Sequence, residues 1–498
     1  MYSAALPPAL REGFAFSGAA PKRLFAATPP GSWLMKKRMN KWLRTIQMLP
    51  GLNKIASLSA VMILLLQFNC MSRVLLLLPT STYKTNAYLT AAGRLGMEIV
   101  VASEEPSTMA PKNPEGLLTL DLTDPEKSAS AVVNFAARYP IDAVIPVDEG
   151  TAVVAAHVAR ALGLNQNPVA GAEAAHNKYL MRQALSRAGL PVPRYWQFSL
   201  DNDVVGGDDT EQVDLVAGRV GYPCVVKPVF LSTSRGVVRA DNRAEFVSAV
   251  ERIERILAMP HIRRRGGPAA RRLLAEEFIP GVEIALEGLL ARDRLQVLAI
   301  FDKPDPLDGP FFEETIYVTP SRLPDLVQKQ AADASLAAAR AMGLVRGPVH
   351  AELRINQNGP YVIEVAARAI GGLCSRSLRF GDDLALEELI LMHAVGMDTS
   401  MIEREKLASG VMMIPIPRSG VLREVNGLAE ARAVDSIEDI IISAHIGQQI
   451  APPPEGASYL GFIFSRAGTP GVVEAALREA HGKLQFVIEP GESNAATG

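Results

Sequence analysis

Glu352 and Glu364 are the residues of this chain whose spacing asks most directly for a cation. Residues 347–368 read Gly-Pro-Val-His-Ala-Glu-Leu-Arg-Ile, Asn-Gln-Asn-Gly-Pro, then Tyr-Val-Ile-Glu-Val-Ala-Ala-Arg. Two runs rich in β-branched and apolar residues flank an Asn358-Gly359 turn signal, which predicts a β-hairpin. With the turn centred near residue 358, Glu352 and Glu364 are equidistant from it and oppose each other. Opposed residues have Cβ atoms roughly 5 Å apart. Strand alternation sends Val349, Ala351, Leu353 and Ile355 to one face and His350, Glu352 and Arg354 to the other. Two opposed carboxylates repel unless a cation or a proton lies between them. An arbitrary hairpin would leave such a pair solvated; the residues upstream tip the balance here.

Lys227 ends the apolar run Cys224-Val225-Val226, and a buried ammonium is costly unless something anionic meets it. The segment Leu231-Ser232-Thr233-Ser234-Arg235-Gly236-Val237 follows, a small polar loop able to offer backbone N–H groups to phosphate oxygens. Next stands Glu276-Glu277-Phe278-Ile279-Pro280-Gly281-Val282-Glu283, either an exposed strand end or a backbone edge for a purine with Glu283 accepting from ribose. Lys178 opens a helix expected over 176–188. Asp302-Lys303-Pro304 and Gly309-Pro310-Phe311-Phe312-Glu313-Glu314 border the same region. There Glu314 reads equally as a ligand for an amino group or as a loop acid. Gly371-Gly372 reads either as a close approach to a substrate carboxylate or as a tight turn.

The elements that must carry these residues are legible from periodicity. Strands are expected over 74–78, 99–102, 117–122 and 143–147, alternating with helices over 85–95, 125–139 and 150–162, a βαβ series on a parallel sheet. No Gly-x-Gly-x-x-Gly follows the first strand, so a dinucleotide site of the usual kind is not expected. The turn at Asp148-Glu149-Gly150 lies at a strand's carboxyl end, where open α/β sheets bind ligands. Further on, strands are expected over 223–229 and 273–278, helices over 243–257 and 471–481, and a strand at 461–464. The arginines between 263 and 272 read as a solvated loop.

The chain has 498 residues and a formal net charge of -2, which gives it no general affinity for nucleic acid or anionic membrane. Cys70, Cys224 and Cys374 show no metal-ligand spacing and fit a reducing, cytoplasmic setting. Residues 1–70 carry nine Lys or Arg against one acid, Glu12, and an apolar run over 55–68 the size of a signal core. A signal or anchor, a disordered basic arm, and a start called too early all compete. Met71 as the true first residue is preferred, because strand 74–78 follows at once.

Taken in order, these elements resemble the ATP-grasp superfamily, over roughly 165–398. The resemblance implies a multidomain α/β and α+β fold. In it, 1–70 is an extension, 71–170 a Rossmann-like domain and 171–398 the ATP-grasp domain with its lid at about 190–285. Residues 399–498 then form a C-terminal α+β domain like that of L-amino-acid ligases. It further implies that Lys178 and Lys227 contact ATP phosphates under a loop containing Ser234 and Gly236. Glu276, Glu277, Phe278 and Ile279 would form the adenine hinge, with Glu283 on the ribose. Glu352 and Glu364 would hold Mg²⁺, with Mn²⁺ as the substitute, and Arg368 would stabilise a phosphorylated intermediate.

Many members carry a metal-binding Asn two residues after the second glutamate, where this chain has Ala366. That departure matches the amino-acid ligase branch, whose Ala-Ala-Arg followed by glycines stands here as Ala366-Ala367-Arg368 and Gly371-Gly372. The activity implied is ADP-forming ligation of a carboxylate to an amine, an amino acid among the substrates. No nucleic acid and no stable membrane association are expected, and a homodimer stays open. A purine-pathway-type ligase or a bicarbonate-using carboxylase is the alternative, and a non-catalytic nucleotide-binding module the different class. No Ala-Met-Lys-Met biotin signature is present.

Overall fold

The computed structural model describes residues 72–200 and 213–491, and the readings given above for residues 1–70 and for Met71 lie outside them. No helix among the described residues is long and apolar enough to cross a membrane.

The first domain is the expected βαβ series. Its parallel sheet runs Leu117–Thr119, Glu98–Ser103, Arg73–Leu77, Ala143–Pro146 in spatial order. The strand Arg73–Leu77 is apolar on both faces because both are covered. Leu75 and Leu77 pack with Val132 and Val158 from the helices Pro125–Ala136 and Ala152–Leu162. Val74 and Leu76 pack with Tyr88 and Ala92 of the helix Thr85–Leu95, in a core that continues into the next domain through Ala285, Leu289 and Phe301.

The helix expected over 176–188 is broken at its start. Val169–His176 and Lys178–Arg187 are separate helices, with extended Asn177 between them. The Asn177 side chain accepts from the N–H groups of Tyr179 and Leu180, so it caps the second helix rather than continuing the first. Lys178 thereby becomes the first helical residue.

The segment expected to act as a lid holds a four-stranded antiparallel sheet in the order Tyr195–Ser199, Arg272–Glu277, Cys224–Pro228, Val238–Ala240. The helix Arg243–Leu257 backs it, burying Phe246, Val250 and Ile253.

The largest sheet has eight antiparallel strands. Its grasp-domain half runs Gly359–Ala366, Arg346–Asn356, Val282–Ala291, Arg294–Asp302, Ile316–Thr319. It continues without a break through Ala408–Ile414, Gly461–Ala467 and Ile437–Ile442. The strand Arg346–Asn356 shows the expected alternation: Val349, Ala351, Leu353 and Ile355 enter one core together with Ala331 and Ala338 of the helix Asp325–Ala341. Their neighbours His350, Glu352 and Arg354 face the opposite way, toward the cleft.

Candidate active site

Glu352 and Glu364 are directly paired across the hairpin. The pairing depends on an irregularity. Asn356 opposes Gly359 and Leu353 opposes Val362, so the turn lies at Gln357-Asn358, half a residue before the position the sequence suggests. A bulge between Glu352 and Leu353 inserts Ile363 and shifts the register by one, restoring the opposition of the two glutamates. Buried Arg182 covers the bulge from the helix Lys178–Arg187, donating to the carbonyls of Val362 (3.2 Å) and Ile363 (2.8 Å).

The cleft face of the sheet is a grid of acids and cations. The neighbouring strand Val282–Ala291 places Glu287 opposite His350, Ala285 opposite Glu352, and Glu283 opposite Arg354. His350 Nδ1 lies 3.1 Å from Glu287, and its Nε2 lies 3.5 Å from Glu352. His350 is also the cross-strand partner of Ala366, the position where related patterns carry an asparagine. Arg354 donates to Glu283 at 2.9 Å and to the Ile279 carbonyl at 3.0 Å.

Lys303 stands between three carboxylates, 2.8 Å from Glu283, 3.5 Å from Glu352 and in close contact with Glu314. Burial works against its charge, but these acids raise its pKa well above the ordinary lysine value. Burial pushes the Glu314 carboxyl up to about 7 against the pull of Lys303, with Glu352 adding to the rise. Glu283, Glu314 and Glu352 bring oxygens within 4.8 Å of one another, whereas Glu364 points to Lys178, its Oε2 3.2 Å from Nζ. The cleft enclosed by these groups, about 150 Å³, is lined by Lys178, Lys227, Glu352, Glu364 and Arg368 together.

Lys178 Nζ also donates to the Leu231 carbonyl at 2.7 Å, tying the helix start to the lid loop. Lys227 meets Glu276 at 2.6 Å. The paired acids of the expected hinge therefore part company. Strand alternation turns Glu276 inward, where its side chain also holds Arg182 at 2.7 Å, while Glu277 turns outward to Arg194 at 3.2 Å. Burial alone would raise the Glu276 pKa; Arg182 and Lys227 hold it below the ordinary value instead. The hinge backbone is also partly committed. Glu277 N–H donates to Arg194 and Phe278 N–H to Pro223, while among the described residues the Ile279 N–H has no partner. Glu283, expected at a ribose, is engaged by Lys303 and Arg354.

In the loop after Lys227, Thr233 and Ser234 both have positive φ (57° and 53°), and the Arg235 N–H donates to the Ser232 carbonyl at 3.3 Å, closing a tight turn over them. Both line the cleft. Gly236 does not; its N–H is donated outward to Pro454 at 2.9 Å.

Arg368 reaches the cleft from the end of the hairpin and is held by Glu149 of the first domain, Nε to Oε2 3.0 Å. The turn at Asp148-Glu149-Gly150 thus contributes a side chain that orients the arginine. Arg182 and Glu287 are site residues that the sequence did not single out; Glu149 was anticipated only as part of a ligand-side turn and Arg354 only as sharing a face with Glu352.

Two consequences are measurable. Replacing Glu276 with alanine leaves Arg182 and Lys227 without their buried counter-charge. Urea unfolding is expected to show a loss of about 3–5 kcal/mol. Glu277→Ala, at an exposed pair, is expected to cost under about 1 kcal/mol in the same assay. Glu149 supplies the second. Burial opposes its charge, yet His176 and Arg368 bring its pKa down from 4.5 to about 2. A group depressed on folding stabilises above its unfolded pKa and loses that contribution as pH falls toward the folded value. The stability difference between wild type and Glu149→Gln is therefore expected to be constant near neutral pH and to shrink between pH 4.5 and about 2.

The architecture and the cleft define an ATP-grasp protein, and comparison with known proteins agrees. Residues 220–377 match the ATP-grasp domain model and residues 89–165 the ATP-grasp N-terminal domain model. The chain thus carries ATP-grasp domains, and its residues 412–489 match the L-amino acid ligase C-terminal domain 2. The crystal structure of an L-amino acid ligase from Bacillus licheniformis superposes with a TM-score of 0.69 at 28% identity, covering 84% of this chain and 99% of that one. The alanine–anticapsin ligase of Bacillus subtilis is 26% identical over 298 residues, 56% of this chain and 60% of that protein. An uncharacterized protein of Sinorhizobium fredii, y4rH, is 23% identical over 84% of both chains.

Proposed function

We infer that the protein joins a carboxylate to an amine at the expense of ATP, with an amino acid among its substrates. The observation that carries this reading is one cleft holding two opposed carboxylates, two buried lysines and a partly buried arginine. In this reading Lys178, Lys227 and the Thr233–Ser234 backbone receive the phosphates, and the free Ile279 N–H meets the adenine edge.

Glu352 and Glu364 fit a hard divalent cation. Both are oxygen donors on adjacent strands, both line the cleft, and each already has a cationic neighbour. When bound there, Mg²⁺, or Mn²⁺ in its place, supplies neutralisation of the phosphate oxygens. The substrate carboxylate attacks the γ-phosphorus, giving an acyl phosphate and ADP, and the amine then displaces phosphate. Arg368, oriented by Glu149, is placed to stabilise charge on the transferring phosphoryl group. Phosphoryl transfer demands little covalent chemistry of the protein, so positioning and electrostatics carry the rate.

The test is ADP release from the protein with Mg·ATP across amino acids offered singly and in pairs. Release that requires two amino acids, with a product of the condensed mass, establishes the reading and names the substrates. Binding of ATP without release for any acid and amine would overturn it in favour of a nucleotide-binding module.

A further inference from the structure

The phosphate loop of the lid is tied down from outside the grasp domain. Beyond the Gly236 N–H bond to the Pro454 carbonyl, Arg252 on the lid helix Arg243–Leu257 grips Glu455 through two contacts, Nε–Oε1 2.5 Å and Nη2–Oε2 2.9 Å. The same guanidinium lies over the Phe311 ring, 4.7 Å from its centroid, and Phe311 in turn bridges Val238 on the lid's edge strand. Pro454 and Glu455 belong to the C-terminal domain, between the strands Gln449–Ile450 and Gly461–Ala467. A two-pronged arginine–carboxylate pair fixes orientation as well as charge. Both side chains are 35% exposed, so the pair adds little to global stability, and geometry is what it supplies. What it holds is the end of the loop whose Thr233 and Ser234 line the cleft.

We propose that residues 451–456 form a latch by which the C-terminal domain keeps the lid over the reacting phosphate, with Glu455 a positioning residue acting through Arg252. The inference rests on the ligase reading. Once the acyl phosphate has formed, two nucleophiles compete for its carbonyl carbon. An amine gives the amide, phosphate and a proton; water gives back the carboxylate with phosphate and a proton, and the ATP is lost. A lid held shut excludes water and favours the amine.

The experiment is the number of ADP molecules released per amide formed, in wild type, Glu455→Ala and Arg252→Ala. The wild type is expected near one, and both variants about three- to tenfold higher. General loss of structure would lower ADP and amide together and leave this ratio unmoved. Amide hydrogen exchange of residues 232–237 without ATP is the second readout, expected to be faster in both variants. An unchanged ratio in both variants, or exchange at the wild-type rate, overturns the latch. A wild type that forms no amide overturns the ligase reading instead, and the exchange comparison then judges the latch by itself.

Discussion

Glu364→Gln is expected to lower Mg·ATP turnover by about a thousandfold, the order seen when one electrostatic contact to a transition state is lost. The substitution keeps shape and removes charge. Glu364 stands opposite Glu352 and against Lys178, so under the proposed reading the amide would leave one of the pair to hold the cation and would alter the partner of Lys178. The side chain is only partly buried, and Lys178 retains the Leu231 carbonyl, so the fold should persist. The check is ADP release alongside circular dichroism and thermal unfolding. A folded variant turning over at the wild-type rate would remove Glu364 from the metal site.

Arg368→Ala is expected to reduce kcat by about 10²–10³ while ATP affinity, read by titration calorimetry, changes by less than about threefold. The reason lies in its anchorage. Arg368 is held by Glu149 at 3.0 Å and donates Nη1 to the Ala369 carbonyl at 2.9 Å, a geometry fixed before any substrate arrives. A preset guanidinium acts on charge that develops during reaction. Arg368→Lys keeps the charge but loses the rigid fork, so only part of the rate should return. Equal losses in kcat and ATP affinity would make Arg368 a nucleotide-binding residue.

What the sequence made legible was local. Two-residue alternation placed His350, Glu352 and Arg354 on one face, and the polar loop after Lys227 could be located, its Ser232, Thr233 and Ser234 lining the cleft. The glutamate pairing was anticipated with a turn centred near 358. The observed turn sits half a residue earlier, and the bulge at Ile363 cancels the difference; no strand pattern announces such a bulge. The acidic pair Glu276-Glu277 looked like one feature until strand alternation turned its members to opposite sides. The partners of the site were out of reach for a different reason. Arg182 meets Glu276 from 94 residues away, and Glu149 meets Arg368 from another domain. Such contacts are set by how elements pack, and they leave no spacing in the chain. The branch-specific gap at Ala366 was visible, but that His350 stands across from it needed the register.

The unbroken eight-stranded sheet bears on how such a protein can change. Ile316–Thr319 pairs with Ala408–Ile414 in fixed register, Ile316 with Met412 through Thr319 with Ser409. Cutting between these two strands would strip Ile316–Thr319 and Ala408–Ile414 of a partner, and bare edges recruit foreign strands. The two halves are therefore structurally interdependent along this seam. A hybrid grafting one ligase's C-terminal half onto another's ATP-binding half must match four residue pairs or misfold.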